Sequence, residues 1–172
     1  MLEPTHQLLE GLRRTGHTIV ASLPDKWVGD LVSAVAADPD FTHVPVTRED
    51  EGVGLCVGAY LGGKRGALIC QNAGLLLAGN ALAGYAHLHQ IPMLILCAYR
   101  GRHDDAYYYQ TYKGRVTPGV LDGLQVPYRV IETPDRLGEI EDLARMAFLY
   151  RTPAVMLLSQ RALGADRMEG GG

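Results

Sequence analysis

Short β-branched and aliphatic runs alternate along this chain with amphipathic stretches of helical period, and no other feature restricts its fold as strongly. Leu8, Leu9 and Leu12 share one face of a helix from about Pro4 to Arg14, with Gly16 placed to end it. The run from His17 to Leu23 reads as a first strand stopped by Pro24; a helix from Trp27 to Ala37 and a short strand from Phe41 to Val46 follow. A third helix is expected from about Glu49 to Leu61, then a strand from Ala67 to Cys70. The turn Gln71-Asn72-Ala73-Gly74 leads into a helix ending near His89, and Pro92 to Ala98 is a continuous apolar strand. Arg100 to Val116 reads as a long polar loop, a length that is usually functional in a compact domain. A short helix near Pro118 to Leu124, a strand from Tyr128 to Ile131, a helix from Pro134 to Tyr150 and a strand from Ala154 to Leu158 complete the pattern. This order predicts one α/β domain over residues 1–167: a doubly wound, six-stranded, mostly parallel sheet with helices on both faces. Residues 168–172, which end in three glycines, read as a flexible tail.

Composition narrows the function classes. The 172 residues are 47% apolar and 20% charged, enough for one core. A formal charge of −3 gives no footprint for a phosphate backbone or an anionic membrane, so neither nucleic acid nor membrane is an expected partner. No window reaches the roughly 18–20 apolar residues that span a bilayer, and Met1-Leu2-Glu3-Pro4 opens without a basic n-region; the expectation is a soluble, cytoplasmic protein. Cys56, Cys70 and Cys97 sit in apolar surroundings without a C-x-x-C pair and read as reduced core thiols. Gly52, Gly54 and Gly58 fall inside one helix, where each costs about 1 kcal/mol against alanine. Such a surface invites another backbone, a subunit or a flat cofactor.

In a doubly wound sheet, ligands sit outside the carboxyl ends of the strands, here Leu23 to Lys26, Thr47 to Glu51, Gln71 to Gly74 and Arg100 to Arg115. A dinucleotide fingerprint fails, because Leu23-Pro24-Asp25-Lys26-Trp27 has no glycine to admit a pyrophosphate. A phosphate loop fails too: Gly74-x-x-x-x-Gly79 is followed by Asn80-Ala81. Glu49, Asp50 and Glu51 could simply complement a helix dipole. Two rivals of other classes are a cysteine hydrolase using Cys70, which lacks the flanking glycines of a nucleophile elbow, and a non-catalytic flavodoxin-like binding module. His87 and His89 point to different helical faces, and His103-Asp104-Asp105 is too contiguous to encircle a metal.

The runs ASLPDKW, REDEGVGLCVGAYLGGK and LICQNAGLLLAGNALAG, each at an expected strand exit, resemble the pyrimidine-binding domain of thiamine-diphosphate-dependent decarboxylases. Within that group the resemblance is to the alpha subunit of sulfopyruvate decarboxylase and its phosphonopyruvate decarboxylase relatives, and it covers essentially the whole chain. It implies decarboxylation of a 2-oxo acid with release of an aldehyde, and a glycine-bearing helix at a subunit interface. It also implies that a glutamate at the start of the third helix, Glu49 or alternatively Glu51, hydrogen-bonds N1′ of the cofactor's aminopyrimidine.

By the same resemblance Gln71, Asn72 and Gly74 lie beside the cofactor, Ala73 replacing the family's serine, and Asp25 is a proton-handling group over the substrate. Lys26 departs from the serine of the phosphonopyruvate branch. Arg100, Lys113 and Arg115 could clamp the second anionic group of a sulfonated or phosphonated substrate, or the tyrosine-rich loop could be a subunit contact. Nothing in the chain resembles the GDG and paired asparagines that hold Mg²⁺ in this superfamily. The resemblance therefore implies a separate diphosphate-binding (beta) subunit holding Mg²⁺, in a hetero-oligomer with at least two copies of each chain.

Overall fold

The computed structural model describes residues 3–103 and 105–164. Six strands form one sheet in the order β2-β1-β3-β4-β6-β5: β1 (Ile19–Ser22), β2 (Thr42–Pro45), β3 (Gly66–Gln71), β4 (Met93–Ala98), β5 (Tyr128–Ile131) and β6 (Pro153–Leu158). Every pairing is parallel, so the expectation of a mostly parallel sheet sharpens to a wholly parallel one. The helices are α1 (Pro4–Arg14), α2 (Gly29–Ala37), α3 (Glu49–Leu61), α4 (Asn72–Leu77), α5 (Gly79–Ala81), α6 (Thr111–Gly123) and α7 (Ile140–Tyr150). Residues 168–172, read as a tail, lie outside the described residues.

The period-2 alternation of the central strands separates two cores. Leu94 and Leu96 of β4 with Ala154 and Met156 of β6 face α1, α2 and α7, through Leu12, Leu31, Val35 and Leu143. Met93, Ile95 and Cys97 with Val155 and Leu157 face α3, α4 and α6, through Val53, Cys56, Leu75 and Leu121. Helices thus cover both faces, and the central strands read as unbroken apolar runs because both of their sides are buried. The chain passes from β1 to β2 on one side and returns to β3 on the other. This switch point sets the start of α3 and the exits of β1 and β3 side by side.

Three expectations change. The helix foreseen from Gly74 to His89 begins at Asn72 and breaks into α4, α5 and a π-helical turn, Leu82–His87. Gln71-Asn72-Ala73-Gly74 is therefore no open turn: the chain passes directly from strand to helix. The polar loop is shorter than the composition suggests, because a 3₁₀ turn at Tyr108–Gln110 opens into α6, which carries Lys113 and Arg115. The helix expected near Pro118 to Leu124 thus starts seven residues earlier, at Thr111; Pro118 masked its first turns, since proline is expected near a helix start and not inside. Here the carbonyl that Pro118 cannot bond, that of Gly114, accepts the Tyr99 hydroxyl at 3.0 Å. Third, Gly52 admits the chain's own sheet: a Cβ there would lie 2.6 Å from Leu68 Cδ1, whereas Gly54 and Gly58 face open space.

Candidate active site at the carboxyl ends of β1, β3 and β4

Arg48 is extended and ends the approach to α3, so Glu49 is the first helical residue and turns inward. Its side chain is buried, with 5% of its surface exposed. Burial pushes the carboxyl pKa up, against the lowering effect of its own backbone N–H. A neighbouring glycine makes the seat possible: a Cβ on Gly74 would fall 1.7 Å from Glu49 Oε1 and 1.9 Å from its Cδ. Gly74, which the resemblance places beside the cofactor, thus receives the glutamate carboxyl.

Glu51, two residues on, is turned outward. Its Oε2 accepts the Thr47 N–H at 3.0 Å, the Thr47 hydroxyl at 2.9 Å and the Arg48 N–H at 3.1 Å. These bonds lower its pKa and commit it to closing the helix N-terminus. Asp50 is held by the Arg48 guanidinium at 3.1 Å.

At the exit of β3, the Asn72 side chain is wholly buried and wholly used. Its Nδ2 donates to the Arg100 carbonyl at 3.0 Å and to Thr117 Oγ1 at 3.1 Å, and its Oδ1 accepts the Arg100 N–H at 3.2 Å. Asn72 therefore links β3 to the exit of β4 and to α6. Beside it, Gln71 Oε1 is buried with no hydrogen-bond partner among the described residues.

Arg100 is itself buried. Its Nε and Nη2 meet Asp105 at 2.9 and 3.1 Å, and its Nη1 meets Asp25 at 3.0 Å. Its guanidinium lies over the Trp27 ring, 4.1 Å from the centroid. The other oxygen of Asp25 accepts the Trp27 N–H at 2.9 Å. The reading of Arg100 as an open anion clamp is thus revised, because its donors already hold two carboxylates. Lys113 donates to Gln110 Oε1 at 3.0 Å, and Arg115 is exposed one helical position away from Gly114.

The geometry joins Asp25, Asn72 and Arg100 in one network and Glu49 with Gly74 in a second. Beneath both, the Cys97 thiol is pushed well up by burial and by Cys70, and it also feels the charges of Asp25 and Glu49. Cys70 is completely buried in β3, which leaves a nucleophile there no access. Asp105 was missed by the sequence reading: one carboxylate in a polar loop carries no spacing signal. A cavity of about 620 Å³ lies elsewhere, at the amino ends of β5 and β6 between His87, Tyr128 and Thr152.

Residues 3–122 match the family described as thiamine pyrophosphate enzyme, N-terminal TPP binding domain. The chain belongs to that family. It is 34% identical over 145 residues to the sulfopyruvate decarboxylase subunit alpha of Methanococcus maripaludis, covering 84% of this chain and 87% of that one. It is 33% identical over 161 residues to the phosphonopyruvate decarboxylase of Streptomyces viridochromogenes, covering 92% of this chain but 41% of that one. The X-ray structure of a candidate thiamin diphosphate-dependent enzyme from Mycobacterium smegmatis superimposes with a TM-score of 0.69 at 16% identity over 92% of this chain and 31% of the other, a likeness of fold. The strand exits described above thus belong to a thiamine pyrophosphate enzyme domain. No helix among the described residues is long and apolar enough to cross a membrane.

Proposed function

We propose that this chain is the pyrimidine-binding subunit of a thiamine-diphosphate-dependent decarboxylase acting on a 2-oxo acid of the sulfopyruvate or phosphonopyruvate kind. The observation that carries the reading is Glu49: a buried carboxyl of raised pKa, at the first turn of a helix, seated against a glycine that only its side chain fills. The residues fit the aminopyrimidine end of the cofactor. Glu49 accepts no hydrogen bond from another side chain among the described residues, and the orphaned Gln71 Oε1 offers an acceptor at the exit of β3. Nothing in the chain resembles the GDG and paired asparagines that hold Mg²⁺ in this superfamily, so Mg²⁺ and the diphosphate are assigned to a separate beta subunit. The names and lengths of the relatives support that division, one being a subunit alpha of comparable length and another a longer decarboxylase of which this chain matches 41%.

Thiamine diphosphate, when bound, supplies the carbon nucleophile and the electron sink for loss of CO₂. Glu49 would hold the proton at N1′ of the aminopyrimidine, a role that the upward push of burial on its pKa favours. Gln71 and the Gly74 backbone would border the ring. Asp25 handles a proton on the substrate side, oriented by Arg100. Lys113 and Arg115, displayed on α6, are assigned to the second anionic group of the substrate.

Calorimetry with thiamine diphosphate and Mg²⁺ tests the division: tight binding is expected only after the beta subunit is added, in an assembly containing at least two copies of each chain by sedimentation. Tight binding by this chain alone would contradict it. The completed complex is then offered sulfopyruvate, phosphonopyruvate and an aromatic 2-oxo acid, with CO₂ release as the readout.

A further inference from the structure

Arg100 is the most heavily committed side chain at the site. It forms a two-pronged pair with Asp105, a third bond to Asp25 and a stack on Trp27, with side-chain exposures of 4% for Arg100, 1% for Asp105 and 7% for Asp25. Asp105 is anchored in turn by the Gly101 N–H at 2.8 Å and the Tyr107 N–H at 3.1 Å. The Asn72 carboxamide holds the Arg100 backbone at both its N–H and its carbonyl. The chain can fold back this tightly because Gly101 has a φ of +82° and a Cβ there would meet the Gln110 carbonyl oxygen at 2.0 Å.

Two carboxylates against one guanidinium leave a formal charge of −1 in a buried cluster. Three of the five guanidinium N–H groups hold these carboxylates and the guanidinium face lies on Trp27, so an anionic substrate group at Arg100 would enter a cluster that is already negative. We propose that Arg100 is a positioning residue: clamped by Asp105 and Asn72, it fixes the Asp25 carboxylate at the substrate end of the site and binds no part of the substrate itself. This role for the network rests on the decarboxylase reading above. The flat guanidinium is required for it, since lysine cannot satisfy Asp105 in two-pronged fashion while bonding Asp25 and stacking on Trp27.

Trp27 is the only tryptophan in the chain, so its fluorescence reports on the network without any assay of activity. In the assembled complex, Arg100→Lys and Asp105→Asn are each expected to shift Trp27 emission to the red and to raise its quenching by acrylamide. Each should also lower kcat about 10²-fold, the effect of a displacement of about 1 Å, at nearly constant KM. In the Asp25→Asn background, adding Arg100→Lys should cost nothing more, because its whole effect passes through Asp25. Fully additive losses, or a raised KM at unchanged kcat, would show that Arg100 meets the substrate directly and overturn the proposal. Unchanged Trp27 fluorescence in both variants would overturn it too. Circular dichroism checks folding; should Arg100→Lys not fold, Asp105→Asn, alone and combined with Asp25→Asn, carries the same comparison. A wild-type complex that releases CO₂ from no 2-oxo acid would sink the decarboxylase reading, while the fluorescence still decides the network.

Discussion

Glu49 and Asp105 are both buried carboxylates at the carboxyl edge of one sheet, and their surroundings are opposite. Asp105 has each oxygen saturated, by a guanidinium and two backbone N–H groups. Burial alone would raise its pKa, but those partners outweigh it and the pKa is lowered. For Glu49 burial outweighs its own backbone N–H and the nearby Arg48, and its pKa is raised. A carboxylate with every partner present is scaffolding, because nothing is left for a ligand to satisfy. One held in an apolar seat, short of partners, is poised to take or give a proton.

The largest expected effect tests the poised half. Glu49→Gln should lower decarboxylation by about 10²–10⁴-fold, the range for loss of a proton-transfer group, with assembly unchanged by sedimentation. Should Glu51→Gln do this instead, the contrast is drawn around the wrong residue. As assigned, Glu51→Gln only weakens the helix cap, because the amide oxygen can still accept the Thr47 and Arg48 N–H groups, and it is read as a slightly lower melting temperature.

Next comes Gly74→Ala. Its methyl would occupy the position of the Glu49 carboxyl, so the acid must leave its seat, with an expected loss of about 10²-fold in kcat. A variant of near wild-type activity would show that the seat is not the working position.

The pH dependence of stability should differ in sign between the two carboxylates. A raised folded-state pKa means that Glu49 contributes stability below its ordinary value of 4.5 and loses that contribution as pH rises through the folded value. Glu49→Gln should therefore gain on wild type in melting temperature from pH 4 to pH 8. Asp105, with its pKa lowered from 3.8, contributes above that value and loses the contribution as pH falls through the folded pKa. Asp105→Asn should accordingly be most destabilised, relative to wild type, near neutral pH. The same slope for both variants would erase the distinction. The smallest effect is expected for Cys70→Ala, which removes a buried sulfur with no access to substrate and should leave turnover near the wild-type level; abolished turnover would restore the thiol to the chemistry.

Much of this molecule was legible in one dimension. The apolar period gave α1 to the residue, because a helix face imposes its own spacing, and the alternation of helices with buried strands placed α3 over Glu49–Leu61. It also gave the order of all six strands along the chain, as well as the four polar exits. It placed only the second half of α6, near Pro118 to Leu124, because Pro118 and a run of polar residues hid the first turns from Thr111. The fourth helix was read as continuous because a π turn changes the hydrogen-bond register without changing composition.

At the site, sequence alone determined which carboxylates and glycines stand at strand exits, and so the neighbourhood of the chemistry. It left Glu49 and Glu51 open, since both lie in the same helical turn. Only the tertiary structure separated them, by giving one a seat against Gly74 and the other a capping role at Thr47 and Arg48. It also turned Arg100 from a free cation into a member of a closed cluster with Asp25 and Asp105, which lie 75 and 5 residues away along the chain. The physical reason is the same in both cases: local pattern sets which side chains face inward, whereas the charge state and partners of a buried group depend on what distant segments bring against it.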